Sequence, residues 1–173
     1  SLDNEDVRMT IDPGKPGRPF KGIGSNYRVN DLDKDSMVIN YCLDSLRVAW
    51  SRIALDWREW QPDENENPLL NARAGKLSKG FYDQIEMACI LAKRHIPIIL
   101  TVWSPPLWTI DTAKHNRQGL EHDTKISLDP KMTDKMCQSL ADYISYLKTD
   151  YGIEIQLFSF NEVDYGVMVY HTP

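Results

Sequence analysis

The sequence predicts an α/β fold: a parallel sheet covered on both faces by helices. Three observations carry that reading. Apolar runs alternate with amphipathic stretches in the order strand-helix-strand-helix-strand-helix-strand. The strand candidates are continuously apolar rather than alternating, as strands buried on both faces are. The connections after the second and third strands are long and polar, whereas the returns from helix to strand are short, which matches (β/α)₈ barrel anatomy. A doubly wound nucleotide-binding sheet would be favoured by a G-x-G-x-x-G or P-loop motif, and neither occurs. A complete barrel needs roughly 250 residues. At 173 residues the expectation is a partial TIM (β/α)₈ barrel, strands 1–4 with their helices.

Taken in order, residues 1–19 are polar and broken by Pro13, Gly14, Pro16, Gly17 and Pro19. They read as an N-terminal extension, in which Val7, Met9 and Ile11 alternate like a short strand outside the barrel. Residues 20–173 read as the N-terminal half of the barrel domain. Its first strand is expected at Phe20–Gly24, where two glycines suit close backbone packing or a bulge. Asp35 and Ser36 offer N-cap chemistry before Met37, Val38, Tyr41, Cys42 and Leu46, which share one helical face. The second strand is expected at Ala49–Leu55, with Asp56 and Trp57 at its mouth. Phe81, Ile85, Ala88, Cys89 and Ala92 define the next helix, closed by Lys93, Arg94 and His95. Pro97 opens a third strand, Ile98–Trp103. Asp129-Pro130 is an N-cap followed by an N1 proline. The helix it starts carries Met132, Met136, Cys137, Leu140, Ala141, Ile144 and Leu147, and Gly152 supplies its stop. The fourth strand, Ile153–Phe160, delivers Asn161-Glu162.

Composition narrows the function classes. Charged residues make up 26% and the formal net charge is −5, without a basic patch, so nucleic acid is not an expected partner. No apolar stretch approaches the ~20 residues of a membrane span. No signal peptide pattern is present. Cys42, Cys89 and Cys137 lack metal-ligand spacing and fall on apolar helical faces, so they read as buried free thiols. No cofactor is implied. His115 and His122 read as a solvated loop, with a metal site the weaker alternative. Asp63, Glu64 and Glu66 read as a solvated acidic loop, with Ca²⁺ conceivable.

Polar groups just past the carboxyl ends of parallel strands sit where ligands bind. Arg52, Asp56, Trp103 and Asn161-Glu162 are expected at one such mouth. A carboxyl group in a Trp-lined pocket has its charged form disfavoured, which suits Glu162 to proton donation. Asn161 can donate to a substrate hydroxyl, and Arg52 can hold a carboxylate bidentately. Trp103 and Trp108 offer flat faces to sugar rings, stiffened by Ser104-Pro105-Pro106. Each residue also has a plainer reading. Asn161-Glu162 could cap a helix, Arg52 could be an ordinary ion pair, Trp103 could be core, and Trp108 could anchor a loop. Trp57 and Trp60 could cover the barrel rim.

In combination, Ser51-Arg52-Ile53, Thr101-Val102-Trp103-Ser104-Pro105-Pro106-Leu107-Trp108 and Phe160-Asn161-Glu162 resemble clan A glycoside hydrolases. The Trp-Ser-Pro-Pro-x-Trp segment is most similar to glycoside hydrolase family 30, over the N-terminal half of that domain. The resemblance implies a retaining glycosidase acting on a β-linked glycan. It makes Glu162 the general acid/base, Asn161 a contact to the sugar 2-hydroxyl, and Arg52 a residue positioning the nucleophile. Trp103 would line the subsite of the cleaved sugar, joined by Trp108 and Asp56. It also implies a secreted or periplasmic enzyme. After Asn-Glu the clan commonly has Pro, where this chain has Val163-Asp164. The partner carboxylate, about 5–5.5 Å from the first in retaining enzymes, belongs to a strand seven absent here. The 173-residue chain alone is therefore expected to be inactive. It should meet the remainder of the barrel or self-associate through its open strand edges. The rival class is an inactive barrel that binds carbohydrate. A Schiff-base aldolase or metal-dependent hydrolase would need a strand-end Lys or a His-x-His, and Lys21 is mid-strand.

Overall fold

The structure, a computed structural model, describes residues 8–27, 31–111 and 128–160. Four parallel strands form one sheet in sequence order: β1 Gly24–Asn26, β2 Trp50–Asp56, β3 Ile98–Trp103 and β4 Leu157–Phe160. Helix α1 spans Leu32–Leu46. Between β2 and β3 lie α2 Trp57–Trp60, α3 Pro68–Arg73 and α4 Lys79–Lys93, and α5 Thr133–Tyr151 precedes β4. The expected partial barrel is thus present, with two short helices in the connection that the sequence marks only as long and polar. Both begin on side-chain caps: Asp56 accepts from Glu59 N (3.4 Å), and Asn67 accepts from Leu70 N (3.1 Å) ahead of Pro68.

Strand registers set which residues share a face. Asn26 pairs with Arg52, Arg52 with Ile99, and Ile99 with Leu157. Ile53, Leu100 and Phe158 form a row, as do Leu55, Val102 and Phe160. Side chains alternate along a strand, so the second and third rows share one face with Ser51 and Ile98. On this face Ile53, Leu55, Ile98, Leu100 and Val102 join Phe81, Ile85, Ala88, Leu140 and Leu147 in the core. The opposite, concave face carries Asn26, Arg52, Ala54, Asp56, Ile99, Thr101, Trp103, Leu157 and Ser159.

Several expectations are corrected. β1 begins at Gly24 rather than Phe20, because the preceding glycine serves a different purpose. Gly22 has φ +109°, and a Cβ there would lie 2.5 Å from the Ala49 side chain. The glycine thus lets the lead-in to β1 touch the start of β2, where Ala49 N donates to Ile23 O (2.8 Å). Met9 and Ile11 are exposed and belong to no strand. Helix α1 starts four residues earlier than the Ser36 boundary and buries Leu32, Ile39 and Leu43. The stripe Met37, Val38, Tyr41 and Leu46 is exposed. Cys42 and Cys89 are half-buried and Cys137 is exposed, all as free thiols. In α5 the buried face is Met136, Ser139, Leu140, Tyr143, Tyr146 and Leu147, rotated from the expected one. Tyr143 meets Trp60 edge-to-face and Tyr146 stacks on it, with ring centroids at 5.2 and 5.8 Å. Only their polar tips had argued against burial.

A buried carboxylate closes the helical layer. Asp31 stands at the N-cap of α1 but makes no side-chain cap. The missing acceptor comes from α4, where Asp83 takes Leu32 N at 3.0 Å and Lys79 Nζ at 2.7 Å. Lys79 also reaches Asp31 and Asp33 (3.3 and 3.2 Å), and its pKa is raised, first by Asp83 and then by Asp33 and Asp31. Lys79 is half-exposed, so solvent screens most of its ion-pair contribution. The capped backbone N–H is buried. Asp83→Ala is therefore expected to lower stability by about 1.5–3 kcal/mol, and Lys79→Met by clearly less. Urea titration of both variants checks the order, and a larger loss in Lys79→Met would contradict it.

Candidate active site

The mouth of the sheet is built at the ends of β2 and β3. Asp56 pairs in register with Trp103, one position beyond the pairs Leu55–Val102 and Val102–Phe160. Asn161-Glu162 follow Phe160 in sequence and lie outside the described residues, as do His115 and His122. Asp56 ends β2 and caps α2, so its carboxyl group is held by the first turn of that helix. Surrounding protein removes part of its water. That desolvation is the largest influence on it, and with Glu59 nearby it outweighs the backbone N–H groups of Glu59 and Arg58. The pKa is raised above the usual aspartate range.

Trp103 is half-buried at the end of β3. The chain turns sharply after it, with Ser104 at φ +50°, a conformation that costs a non-glycine residue energy. Arg58 N donates to Ser104 O (2.9 Å), which ties this turn to α2. Pro105 and Pro106 are buried, and a 3₁₀ turn follows at Leu107–Thr109.

Trp108 is a loop anchor. Its Nε1 donates to Gln61 O (2.9 Å), and its ring meets Trp57 edge-on at 6.0 Å. Trp57 and Trp60 are fully buried core residues, which corrects the expectation that they cover the rim. Burial obliges each indole N–H to find an acceptor. Trp57 Nε1 reaches Ser139 Oγ (2.9 Å) and Trp60 Nε1 reaches Ser139 O (3.0 Å). Ser139 and Gln61 were not singled out from the sequence, because nothing in a polar residue's neighbours announces an indole partner from 82 residues away.

Arg52 stands lower than the sequence suggested. It pairs with Asn26 at the end of β1 and donates from Nε to Asn26 Oδ1 (3.1 Å). Asp56 lies four positions further along the strand, roughly 13 Å away. Between those levels Thr101 and Ser159 hydroxyls pair at 3.0 Å. The concave face is thus polar in three successive layers: Asn26 with Arg52, Thr101 with Ser159, and Asp56 with Trp103. Such a face can bind a hydroxyl-rich ligand and hold a charged partner. In the acidic loop, Asp63 accepts from Asn65 N, Glu64 pairs with Lys135 and Glu66 accepts from Asn71. Among the described residues no group of three or more His, Cys, Asp or Glu side chains could hold a metal ion. No helix among them is long and apolar enough to cross a membrane.

The architecture is a partial barrel with the fold of family 30 glycoside hydrolases. A GH30 endoxylanase from Clostridium papyrosolvens C71 is similar over 88% of this chain and 36% of its own, with TM-score 0.61 and 15% identity. The glycoside hydrolase family 30 subfamily 8 xylanase from Clostridium acetobutylicum is similar over 87% of this chain and 34% of its own, with TM-score 0.52 and 18% identity. The chain therefore spans about a third of the length of either xylanase. No protein-family model and no curated protein matches this sequence.

The raised pKa of Asp56 has a defined consequence. An acid whose folded pKa exceeds its unfolded value of about 3.9 is harder to ionise in the folded state. Folding is not penalised below the unfolded pKa. The penalty grows as pH rises from there through the folded pKa, and is constant above it. Asp56→Asn keeps a cap acceptor and removes the titration. The stability of the variant relative to wild type should therefore rise as pH climbs from the unfolded value of about 3.9 through the raised folded pKa. Denaturant midpoints across that range check this, and a difference that falls with pH would contradict it.

Proposed function

We propose that this chain carries the acid/base half of a retaining glycosidase site for a β-linked glycan. Xylan is the substrate class named by the two neighbours. In this reading residues 20–173 are the first half of the catalytic barrel and residues 1–19 an extension outside it. One observation carries the reading. Asp56 and Trp103 stand side by side at adjacent strand ends, one step past the Val102–Phe160 pair that precedes Asn161-Glu162 in sequence.

Glu162 is the proton donor to the leaving glycosidic oxygen, and Asn161 holds the sugar 2-hydroxyl. A second carboxylate, from polypeptide outside this chain, attacks the anomeric carbon and forms the glycosyl-enzyme. Glu162, now a base, takes a proton from water as that water releases the sugar. Trp103 supplies an apolar face beside the scissile bond, and Asp56 a hydrogen-bonding carboxyl group. Arg52 acts from below, where its guanidinium can hold the attacking carboxylate ionised. Trp108 contributes by fixing the Trp103 loop, since its N–H is bonded to Gln61 O and its ring packs at right angles to Trp57.

The test is turnover of aryl β-xylosides and of xylan by a polypeptide that completes the barrel. Glu162→Gln should lower turnover by about 10²–10⁴-fold, the usual contribution of a general acid/base. Unchanged turnover would remove Glu162 from the chemistry. Xylan binding without any turnover would support the carbohydrate-binding alternative.

A further inference from the structure

Between α2 and α3 the chain runs beside the first half of α5, and the two enclose a polar groove of about 390 Å³. Its charged lining is Glu64, Glu66, Lys135 and Asp142, three carboxylates against one ammonium, for a net charge of −2. Lys135 is engaged by Glu64 at 2.7 Å. Glu66 accepts from the Asn71 amide (3.2 Å) and Asp142 from the Gln138 amide (2.7 Å). Neither has a cationic partner among the described residues, so two negative charges line the groove without a counter-charge. Gln61, directly after α2, also lines it and is only 9% exposed. Its Nε2 donates to Glu64 O and Glu66 O at 3.4 and 3.5 Å, longer than the roughly 2.7–3.2 Å of a good N–H···O bond. Its Oε1 is buried and has no partner among the described residues. A buried acceptor left unpaired is costly and uncommon. The Gln61 amide and the two carbonyls thus hold three oxygens whose bonding is absent or stretched.

We propose that this groove is a calcium site. A half turn of the Gln61 amide exchanges Oε1 for Nε2 and brings the oxygen to the place 3.4–3.5 Å from both carbonyls. That spacing is the one two oxygens adopt on Ca²⁺, where ligands about 2.4 Å from the ion and roughly at right angles stand about 3.4 Å apart. Gln61 Oε1, Glu64 O and Glu66 O are the neutral ligands, and the Glu66 and Asp142 carboxylates supply the charge. Water completes the six to eight ligands that Ca²⁺ takes. The donor set is all oxygen, which selects a hard cation over zinc or copper. Carbonyls on an irregular loop suit calcium's flexible shell better than the strict octahedron of Mg²⁺. Bound there, the ion ties the 61–67 segment to α5, next to Ser139. The site owes nothing to the proposed sugar chemistry, so either can fail alone.

Terbium luminescence of the 173-residue chain tests it, because Trp57 and Trp60 lie close enough in sequence to Gln61 to sensitise a bound Tb³⁺. Excitation of the indoles should give Tb³⁺ emission that added Ca²⁺ displaces and equal Mg²⁺ does not. Ca²⁺ should also raise the urea midpoint of the chain. The double variant E66Q/D142N, at carboxylates that anchor nothing in the core, should weaken Tb³⁺ and Ca²⁺ binding at least about tenfold. Gln61→Met should do the same if it folds, and the double variant decides the matter if it does not. Lys135→Met, which removes the one cation from the lining, should leave binding intact or tighten it. No Tb³⁺ emission and no Ca²⁺ effect on the wild-type chain would overturn the proposal and leave Oε1 to a buried water. Binding unchanged in E66Q/D142N would overturn it too, as would an equal response to Mg²⁺.

Discussion

Two indole N–H groups that end on one residue, Ser139, hold the functional end of this fold together. Trp57 and Trp60 form opposite ends of the single-turn helix α2, immediately after Asp56. Their rings are fully buried, and a buried indole without an acceptor would cost about 1–3 kcal/mol. Ser139 supplies its hydroxyl to one and its backbone carbonyl to the other. Helix α5 is thereby fixed against the end of β2 rather than only against the sheet. Trp108 extends the arrangement by donating to Gln61 O, which joins the β3 loop to the β2 loop. The position of Asp56 relative to Trp103 is a consequence of these three bonds together with the β2–β3 register.

The chemistry at the mouth follows from that rigidity. Asp56 keeps an exposed face at the end of β2, yet the protein packed around its cap position displaces part of the water around its carboxyl group. Its raised pKa is the result. Below it the concave face stays polar through the Thr101–Ser159 pair and down to Arg52 and Asn26. A barrel interior filled only for stability is dominated by branched apolar side chains. Here such residues, Ile99 and Leu157, are interleaved with hydroxyl, amide and guanidinium groups. Interior polarity of this kind suits a site that must hold hydroxyl-rich and charged partners. The positive φ at Ser104 shows where backbone strain is accepted in order to turn the Trp103 loop across the mouth.

The parts of this arrangement legible in the sequence are those governed by continuous local patterns. Strand β3 occupies the range its uninterrupted apolar run indicates, and β2 is displaced by one residue. Helices α4 and α5 lie where their periodicity puts them, and Gly152 ends α5 in the left-handed conformation. Faces were less legible than elements. Helix α1 has two apolar stripes, Leu32–Ile39–Leu43 and Met37–Val38–Tyr41, and composition alone cannot say which meets the sheet. In α5 the tyrosines counted as polar, although their rings carry the packing on Trp60. The depth of Arg52 could not be read because it depends on inter-strand register, which no single strand encodes. The tryptophans were noticed as a cluster, but whether each faces sugar or core is decided by partners distant in sequence. The Trp-Ser-Pro-Pro-x-Trp segment indicated the right fold, but nothing in it announces that the Trp108 N–H is bonded to Gln61 O.

Hydrogen exchange at the Trp57 and Trp60 indole Nε1 positions, followed by NMR in the 173-residue chain, tests the Ser139 latch most directly. Both protons should exchange only through global unfolding, with protection equal to that of the most stable backbone amides. Ser139→Gly should bring the Trp57 proton into rapid exchange while leaving Trp60, bonded to the backbone carbonyl, more protected. Rapid exchange of both indoles in the wild-type chain would contradict the account, because the mouth would then open without unfolding the fold that bears it.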